Sequence, residues 1–301
     1  MTPVYREMVL DNDLTPVSNL SAAFLSPPSP IHLQFAYYQS SLVVEFLIDR
    51  YGLEALKQIL VDLGDGLGIN DALVRSAGSL VKLDIQFSEF AREHARQFGS
   101  RADWSRDDLP EKASLAELSE WVKDHPTNYW GLRRLAEAMF AARQIETAQQ
   151  PLEKLVELET ATGDEGGPLE MLARVYAETD QLDEERSIHR SIIEQSGDAL
   201  PSLRRLIEMA AAEEDWESVS VYAEKLRSIN PLLPEGHQAL ANAAENLDRP
   251  ERTVGPLSAL RALDPIDPAG VDYRIARALA DLGQDDRAKH HVLRALEQAP
   301  R

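Results

Sequence analysis

The 301-residue sequence contains no cysteine. Disulfides, cysteine-ligated zinc, iron–sulfur clusters and thiol catalysis are therefore excluded, because each of them needs the cysteine sulfur. The sequence also lacks any run of about 18 apolar residues, the length that a membrane-spanning helix requires, so no membrane insertion is expected. Residues 1–7 show no basic stretch followed by an apolar run, so no secretory signal is recognised. A cytoplasmic location is expected for the chain as written, or export if a signal sequence lies upstream.

Basic residues are scarce, since 31 lysines and arginines stand against 51 aspartates and glutamates, for a formal net charge of −20. Nucleic acids and anionic membranes bind clustered lysine and arginine, so no nucleic acid partner is expected. The acidic excess is spread along the chain, with 9 basic and 16 acidic residues in positions 1–111 and 22 and 35 in positions 112–301. Such a spread is typical of a well-solvated surface.

One polar, non-periodic segment, residues 99–112, divides the chain and is predicted to be a linker. Residues 1–98 form one predicted domain before it. Residues 113–301 form a second, in which the apolar pattern is helical throughout.

A repeat of about 34 residues runs through the second domain. Five pairs of neighbouring residues mark its first helix, at spacings of 37, 34, 34 and 35 residues. Each pair is followed by a short polar break and then by a second apolar helix, so the repeating unit is predicted to be a helix hairpin. The breaks begin at Arg143, Asp180, Glu214, Asp248 and Gly283. The marker pairs are Leu135-Ala136, Leu172-Ala173, Leu206-Ile207, Leu240-Ala241 and Ile275-Ala276.

A period near 34 with small residues at the helix contact resembles the tetratricopeptide (TPR) repeat. The resemblance implies an all-α fold, a TPR-type α-solenoid of about five helix-turn-helix repeats, preceded by the small helical domain. Glu185, Val219 and Thr253 depart from the alanine that the family prefers in the second helix. Residues 113–126 are predicted to form an extra helix that caps the front of the array. The predicted repeats are 129–160, 166–197, 200–231, 234–265 and 269–300, with closing prolines at Pro126, Pro231, Pro265 and Pro300.

Residues 33–98 are predicted to form four helices. The first is apolar on most sides, as a buried helix would be. Asn70 is predicted to cap the third, because its side chain can accept a free backbone N–H. The predicted helices are residues 33–51, ended by Gly52, then 53–63, a short helix that runs to 77, and one that begins at 79 or 80.

The string from Ala36 to Gly52, Ala-Tyr-Tyr-Gln-Ser-Ser-Leu-Val-Val-Glu-Phe-Leu-Ile-Asp-Arg-Tyr-Gly, is distinctive. With the apolar helix after it, it resembles the C-terminal helical half of peptidase MA-like domains, the gluzincin-type zinc metallopeptidases, over about residues 14–98. The resemblance implies a zinc ion on a His-Glu-x-x-His helix, with a third ligand on the next helix. None of the seven histidines lies in such a motif. No metal site and no cofactor are therefore predicted in this chain, and zinc is expected only if the ligand helices lie upstream.

One site residue follows from this resemblance. In the aminopeptidase branch of the gluzincins, a tyrosine followed by x-Lys-Gly lies after the metal helices and steadies the oxyanion. Tyr37 aligns with that tyrosine, and a phenol there could donate a hydrogen bond to developing negative charge. Gln39 and Ser40 replace the Lys-Gly of the family. The alternative is that Tyr37 is a half-buried aromatic residue of its helix.

The TPR resemblance implies a binding groove on the first helices of the repeats. Arg133, Arg204 and Arg277 are predicted to form bidentate ion pairs with carboxylates of a bound peptide, and aromatic residues are predicted to anchor it. The alternative is an ordinary polar surface with Arg–Glu pairs inside the molecule. The predicted groove residues are Trp130, Arg133, Glu137, Phe140, Arg174, Arg204, Glu208, Asn242, Tyr273 and Arg277.

Two hypotheses for function follow. The first is a protein–protein interaction scaffold that presents a TPR groove to a protein or peptide partner and is not catalytic on its own. The second is the C-terminal portion of a zinc metallopeptidase whose His-Glu-x-x-His half lies upstream. The first is favoured for this chain as written, because three zinc ligands cannot be assembled from it. The carboxylate–histidine pairs Glu185/His189 and Asp286/His290 supply only two ligands each.

Overall fold

Apolar residues recur with a helical period along most of the chain, and this pattern favours helices. A computed structural model describes residues 1–110, 112–164 and 166–298, and every regular element in them is a helix, which confirms the predicted all-α fold. The chain divides into two compact units. The first comprises Met1–Trp104 with Glu157–Thr160, and the second comprises Ser105–Val156 with Ala161–Arg301.

The first unit is a cluster of six helices around an aromatic and aliphatic core. The rings of Phe46 and Phe87 meet edge to face at 5.8 Å between centroids, and Leu83 beside them is 1% exposed. Burial of such side chains contributes roughly 1.5–3 kcal/mol each. The helices are α1 (Pro3–Leu10), α2 (Leu20–Leu25), α3 (Pro30–Tyr51), α4 (Leu53–Gly64), α5 (Ile69–Ala77) and α6 (Leu80–Gln97).

The four predicted helices of this unit are present as α3 to α6, and two details of the prediction are wrong. Helix α3 begins at Pro30, because proline fits the first turn of a helix, where its missing N–H is not needed. Asn70 does not cap α5, which begins at Ile69 after Gly68. Its side-chain amide instead donates a hydrogen bond to the carbonyl of Ser18, at 3.0 Å.

The prediction that α3 is buried on most sides is also wrong. Tyr37, Val44 and Ile48 are 66%, 42% and 40% exposed. Helices α1, α2, α4 and α6 contact α3, and one side of it is left in solvent. An apolar helix pattern shows that a helix can be buried, and the number of neighbours decides how much of it is.

The start of the predicted linker packs on the first unit. The indole N–H of Trp104 donates to the carbonyl of Gly99 at 3.1 Å, and the guanidinium of Arg6 lies 4.2 Å from the Trp104 ring. The same unit includes Glu157–Thr160, at the end of the first predicted repeat, where Arg101 donates to the carbonyl of Glu157 at 2.6 Å. The linker itself stays a prediction.

The second unit is a row of five helix hairpins behind one leading helix. From α10 to α17, each helix packs against the next one in the chain, so every second helix contacts both the first helix of its own hairpin and that of the following one. This confirms the predicted helix-turn-helix repeats. Pro300, predicted to close the last repeat, lies outside the described residues. The helices are α7 (Leu115–Asp124), α8 (Tyr129–Ala141), α9 (Gln149–Glu157), α10 (Pro168–Glu178), α11 (Leu182–Gln195), α12 (Leu200–Ala212), α13 (Trp216–Ile229), α14 (Pro234–Asn246), α15 (Pro250–Ala262), α16 (Pro268–Asp281) and α17 (Asp285–Gln298).

The five hairpins share one turn geometry. In each, the residue that begins the predicted polar break has a positive φ, and the backbone N–H of the next residue bonds back to a carbonyl five residues earlier, at 2.8–2.9 Å. This pair of features is the Schellman end of a helix, which satisfies carbonyls that the last turn leaves free. The positive-φ residues are Arg143, Asp180, Glu214, Asp248 and Gly283.

Candidate protein-binding face

All ten predicted groove residues lie on the first helices of the hairpins, α8, α10, α12, α14 and α16. We call this set the first-helix face. Its side chains make contacts from one hairpin to the next. The guanidinium of Arg174 on α10 lies 5.5 Å from the ring of Phe140 on α8, and Arg204 on α12 forms an ion pair with Glu235 on α14 at 3.2 Å. Side-chain contacts therefore link α8 to α10 and α12 to α14 on this face.

The aromatic anchor predicted at the front of this face is covered. The guanidinium of Arg106 stacks on the Trp130 ring at 3.8 Å from its centroid, and Tyr129 meets the same ring edge-on at 4.8 Å. The indole N–H of Trp130 is buried and has no hydrogen-bond partner among the described residues. Arg106 comes from the predicted linker. No periodic pattern connects that segment with α8, so this contact could not be predicted from the sequence.

Arg133 is held by its own helix. Its Nε donates to Glu137 at 2.8 Å and its Nη1 donates to the hydroxyl of the buried Tyr129 at 3.0 Å. Burial alone would lower the pKa of Arg133, but the hydrogen bonds to Glu137 and Tyr129 raise it. The same burial raises the pKa of Tyr129. Arg133 and Glu137 thus neutralise each other, as the alternative reading of the surface expects.

Two further predicted arginines of the face form ion pairs, and a third does not within the described part of the chain. Arg174 pairs with Glu178 of its own helix at 2.8 Å, and Arg204 pairs with Glu235 of the next first helix. Arg277, in contrast, is exposed and has no hydrogen bond or ion pair with any described residue. Tyr273, one turn before it, is 61% exposed. The last hairpin therefore offers an unpaired cation beside an open aromatic ring.

The sequence pattern missed Arg274, which makes the most extensive contacts between first helices. Its guanidinium donates to Asn242 at 2.8 Å and to both carboxylate oxygens of Glu245 at 2.9 and 2.8 Å, so it links α16 to α14. Gln238 donates to the same Asn242 oxygen at 2.7 Å. Glu208 lies 3.4 Å from Arg205. Pairs at i, i+4 are visible in a sequence, whereas partners about thirty residues apart are not.

Tyr37 lies on the open side of α3, with its ring edge-on to Phe24 at 5.0 Å. At 66% exposure it is not the half-buried aromatic that the alternative describes. That role belongs to Tyr38, which stacks on Tyr5 at 4.9 Å. Burial, with smaller contributions from Glu45 and Tyr5, raises the pKa of Tyr38 to about 12. A catalytic role for Tyr37 stays a prediction.

One carboxylate–histidine pair considered as metal ligands is part of a buried ion pair. Glu185 is 1% exposed and accepts two hydrogen bonds from Arg205, at 2.6 and 3.1 Å, while His189 lies 3.6 Å away. Burial lowers the pKa of His189, with Arg205 in the same direction and Glu185 opposing it.

The other pair, Asp286/His290, is on the surface, where Asp286 lies 3.9 Å from Lys289. Across the described residues, no group of three or more histidine, aspartate or glutamate side chains has the arrangement of a metal site. None of the helices in the described ranges combines the length and the hydropathy needed to cross a membrane.

A row of antiparallel helix hairpins with a period near 34 and a shared Schellman turn defines the second unit as a TPR-type α-solenoid. Solved structures similar to this chain include MamA from AMB-1, with 18% identity, a TM-score of 0.43, and coverage of 56% of this chain and 89% of that one. They also include YrrB, described as a TPR protein with an unusual peptide-binding site, with 13% identity, a TM-score of 0.43, and coverage of 61% and 92%. A tetratricopeptide repeat protein from Parabacteroides merdae matches with 13% identity, a TM-score of 0.39, and coverage of 62% and 73%.

Because these TM-scores are below 0.5, the fold assignment rests on the chain's own hairpins. No protein-family model matches the chain, and no curated protein sequence matches it. The resemblance of residues 14–98 to peptidase MA-like domains therefore stays a prediction.

Proposed function

We propose that the second unit is a protein-interaction scaffold that binds a segment of another protein along the first-helix face. The observation that supports this proposal is the row of cations, anions and aromatic rings on the successive first helices. It ends at Arg277 and Tyr273, which are exposed, and Arg277 is unpaired within the described residues. A carboxylate of a bound peptide would find a guanidinium there that is not already neutralised.

The ion pairs elsewhere on the face do not oppose binding. Arg174 and Arg204 are about half exposed, as are their partners Glu178 and Glu235. Exposed pairs of this kind contribute only about 0–1 kcal/mol, because water and salt screen them. A peptide can therefore exchange its own carboxylates for those of Glu178 and Glu235 at little cost, because the displaced side chains are already half exposed to water.

The test compares two triple variants of the full chain with equal changes of charge. Arg174→Ala/Arg204→Ala/Arg277→Ala removes two paired arginines and one unpaired arginine from the first-helix face. The control, Arg96→Ala/Arg227→Ala/Arg252→Ala, also removes two paired arginines and one unpaired arginine, from α6, α13 and α15.

The probes are peptides selected by display against the immobilised wild-type chain, and affinity is measured by calorimetry. The face variant is expected to bind them at least roughly tenfold more weakly, since each lost charge-assisted hydrogen bond weakens binding by about 1 kcal/mol or more. The control should bind as the wild type does. Equal affinity of all three proteins would place the binding site elsewhere and refute the proposal.

A further inference from the structure

The outer side of the last hairpin carries an apolar groove of about 630 Å³ between α16 and α17. On α17 the apolar stripe continues beyond the groove, because Leu293 and Leu296 are 61% and 68% exposed. The groove is lined mainly by apolar side chains, among them Ala276, Ala280, Val292 and Leu293, and it also includes Tyr273 and Arg277 of the first-helix face.

In the preceding hairpin, the matching position is covered by a helix. Leu257 of α15 is 0% exposed and belongs to one cluster with Val271 and Ile275 of α16, which packs against α15. The residue of α17 at the position of Leu257 is Val292, and it is 41% exposed. The groove on the last hairpin thus continues an interface that is formed within the array, and its shape fits a helix.

Only α17 has apolar residues at both outer positions of this stripe, because α9 and α11 have one each, Val156 and Ile193. Leu293 and Leu296 stand where α15 has Ser258 and Arg261, and where α13 has charged residues at both positions. Repeat arrays stay soluble when their end repeats present a polar outer face. Helix α7 does so at the front of this array, since none of its large apolar side chains is exposed. The two exposed leucines of α17 are typical of an interaction surface.

The charges of α17 favour a second copy of the chain as the occupant. The chain carries a net charge of −20, so two copies repel each other unless the surfaces that meet are not acidic. Within α17, however, three acidic residues are balanced by three basic ones. Two copies can therefore approach each other at this helix without that repulsion. The acidic residues are Asp285, Asp286 and Glu297, and the basic residues are Arg287, Lys289 and Arg294.

We propose that the chain forms a twofold dimer in which the α17 helices of the two copies lie antiparallel. Leu293 and Leu296 of each copy enter the groove of the other, and Lys289 faces Glu297 of the second copy. A twofold interface uses the same patch on both partners, so one contact covers both apolar ends and the assembly closes. Head-to-tail stacking would need an apolar front, and the exposed side of α7 does not offer one.

The first test is sedimentation equilibrium of the full chain over a wide range of concentration. The wild type is expected to reach twice its chain mass of 33.6 kDa. Leu293→Glu/Leu296→Glu should weaken the dimer by at least roughly a hundredfold, because it replaces central apolar contacts with charge. The control is Leu60→Glu/Leu232→Glu, at leucines that are 61% and 72% exposed on other surfaces, and it should dimerise as the wild type does.

The second test uses the absence of cysteine, which makes a single introduced thiol unambiguous. Leu293→Cys should form an intermolecular disulfide on mild oxidation, seen at twice the mass without reductant, whereas Leu60→Cys should not. This test also holds if the double glutamate variant fails to fold. A wild type that stays monomeric overturns the proposal, whether or not a helix of another protein occupies the groove. A dimer that survives Leu293→Glu/Leu296→Glu in folded protein overturns it too.

Discussion

At the scale of the residue, two buried carboxylates of the repeats, Glu185 and Asp272, form ion pairs with side chains of neighbouring helices. Glu185 stands where the TPR family prefers alanine, and it is fully paired with Arg205 of the following helix. Asp272 of α16 is 0% exposed and accepts hydrogen bonds from Arg261 at 3.0 Å and His291 at 2.8 Å. A buried carboxylate is tolerated only with such partners. These two residues therefore fasten neighbouring helices to one another.

Asp272→Asn tests this role. Burial alone would raise the pKa of Asp272, but the hydrogen bonds from His291 and Arg261 outweigh it and hold the pKa below its usual value. Its stabilising effect is therefore present above about pH 4 and is lost as the pH falls through the folded-state pKa. We expect the variant to lose about 2 kcal/mol of unfolding free energy at neutral pH, since hydrogen bonds to charged groups contribute about that much.

Urea unfolding at a series of pH values measures both effects. The difference between Asp272→Asn and the wild type should shrink as the pH falls below about 4. A difference that stays constant down to low pH would mean that the ionised carboxylate is not what stabilises the fold. Asp286→Asn is the control, because Asp286 is fully exposed on the neighbouring helix and its change should have little effect.

The sequence predicts residue-scale pairing only along one helix. Arg133 with Glu137 and Arg174 with Glu178 are i, i+4 pairs, and both form. The pairing of Arg274 with Glu245 depends on how two hairpins are rotated against each other, which local pattern does not encode. For the same reason the position of Arg106 over Trp130 could not be foreseen.

At the scale of the element, the hairpin turn is where the array repeats most closely. Four of the five turn residues with positive φ are not glycine, although left-handed backbone costs a residue with a Cβ about 1–2 kcal/mol. Only the last turn uses glycine, Gly283, at φ 68°. The returning N–H bonds of the Schellman end compensate for this strain in the other four.

Two substitutions, one that introduces glycine into a turn and one that removes it, test this account of the strain. Glu214→Gly relieves strain at φ 56° but adds freedom to the unfolded chain, so we expect a net gain of about 0.5 kcal/mol. Gly283→Ala introduces the strain, and we expect a loss of about 1 kcal/mol. Urea unfolding followed by far-UV circular dichroism measures both. Changes of the same sign in the two variants would show that left-handed strain does not govern these turns.

Helices with strong periodicity, and the breaks between them, were predictable from the sequence. Which side chains a neighbouring element covers was not predictable. The breaks at Arg143, Asp180 and Glu214 were placed by the pattern, and the turns form there. The exposure of Val44 and Ile48 was not predictable, because an apolar residue looks the same in sequence whether or not a neighbour covers it. The exposure of Leu293 and Leu296 on α17 was not predictable for the same reason.

At the scale of the whole molecule, the second unit is quasi-one-dimensional, since each helix from α10 onward packs mainly on its neighbours in the chain. A surface on the first helices can therefore extend over all five hairpins, and a segment bound along it can contact several of them. The first unit has its own core and its own open apolar side on α3. Binding by the first-helix face and pairing through α17 use different helices in the first four hairpins. At the last hairpin they share Tyr273 and Arg277, so a dimer leaves α8, α10, α12 and α14 for the bound segment.

Hydrogen exchange measured by mass spectrometry, with and without a display-selected peptide, tests the proposed function most directly. The full chain is compared in the free and the peptide-saturated state, so that every helix serves as a control for the others. We predict that exchange slows in α8, α10, α12, α14 and α16, and that α11, α13 and α15 change little. Slowing confined to the second helices, or to the first unit, would contradict the assignment of the first-helix face as the binding surface.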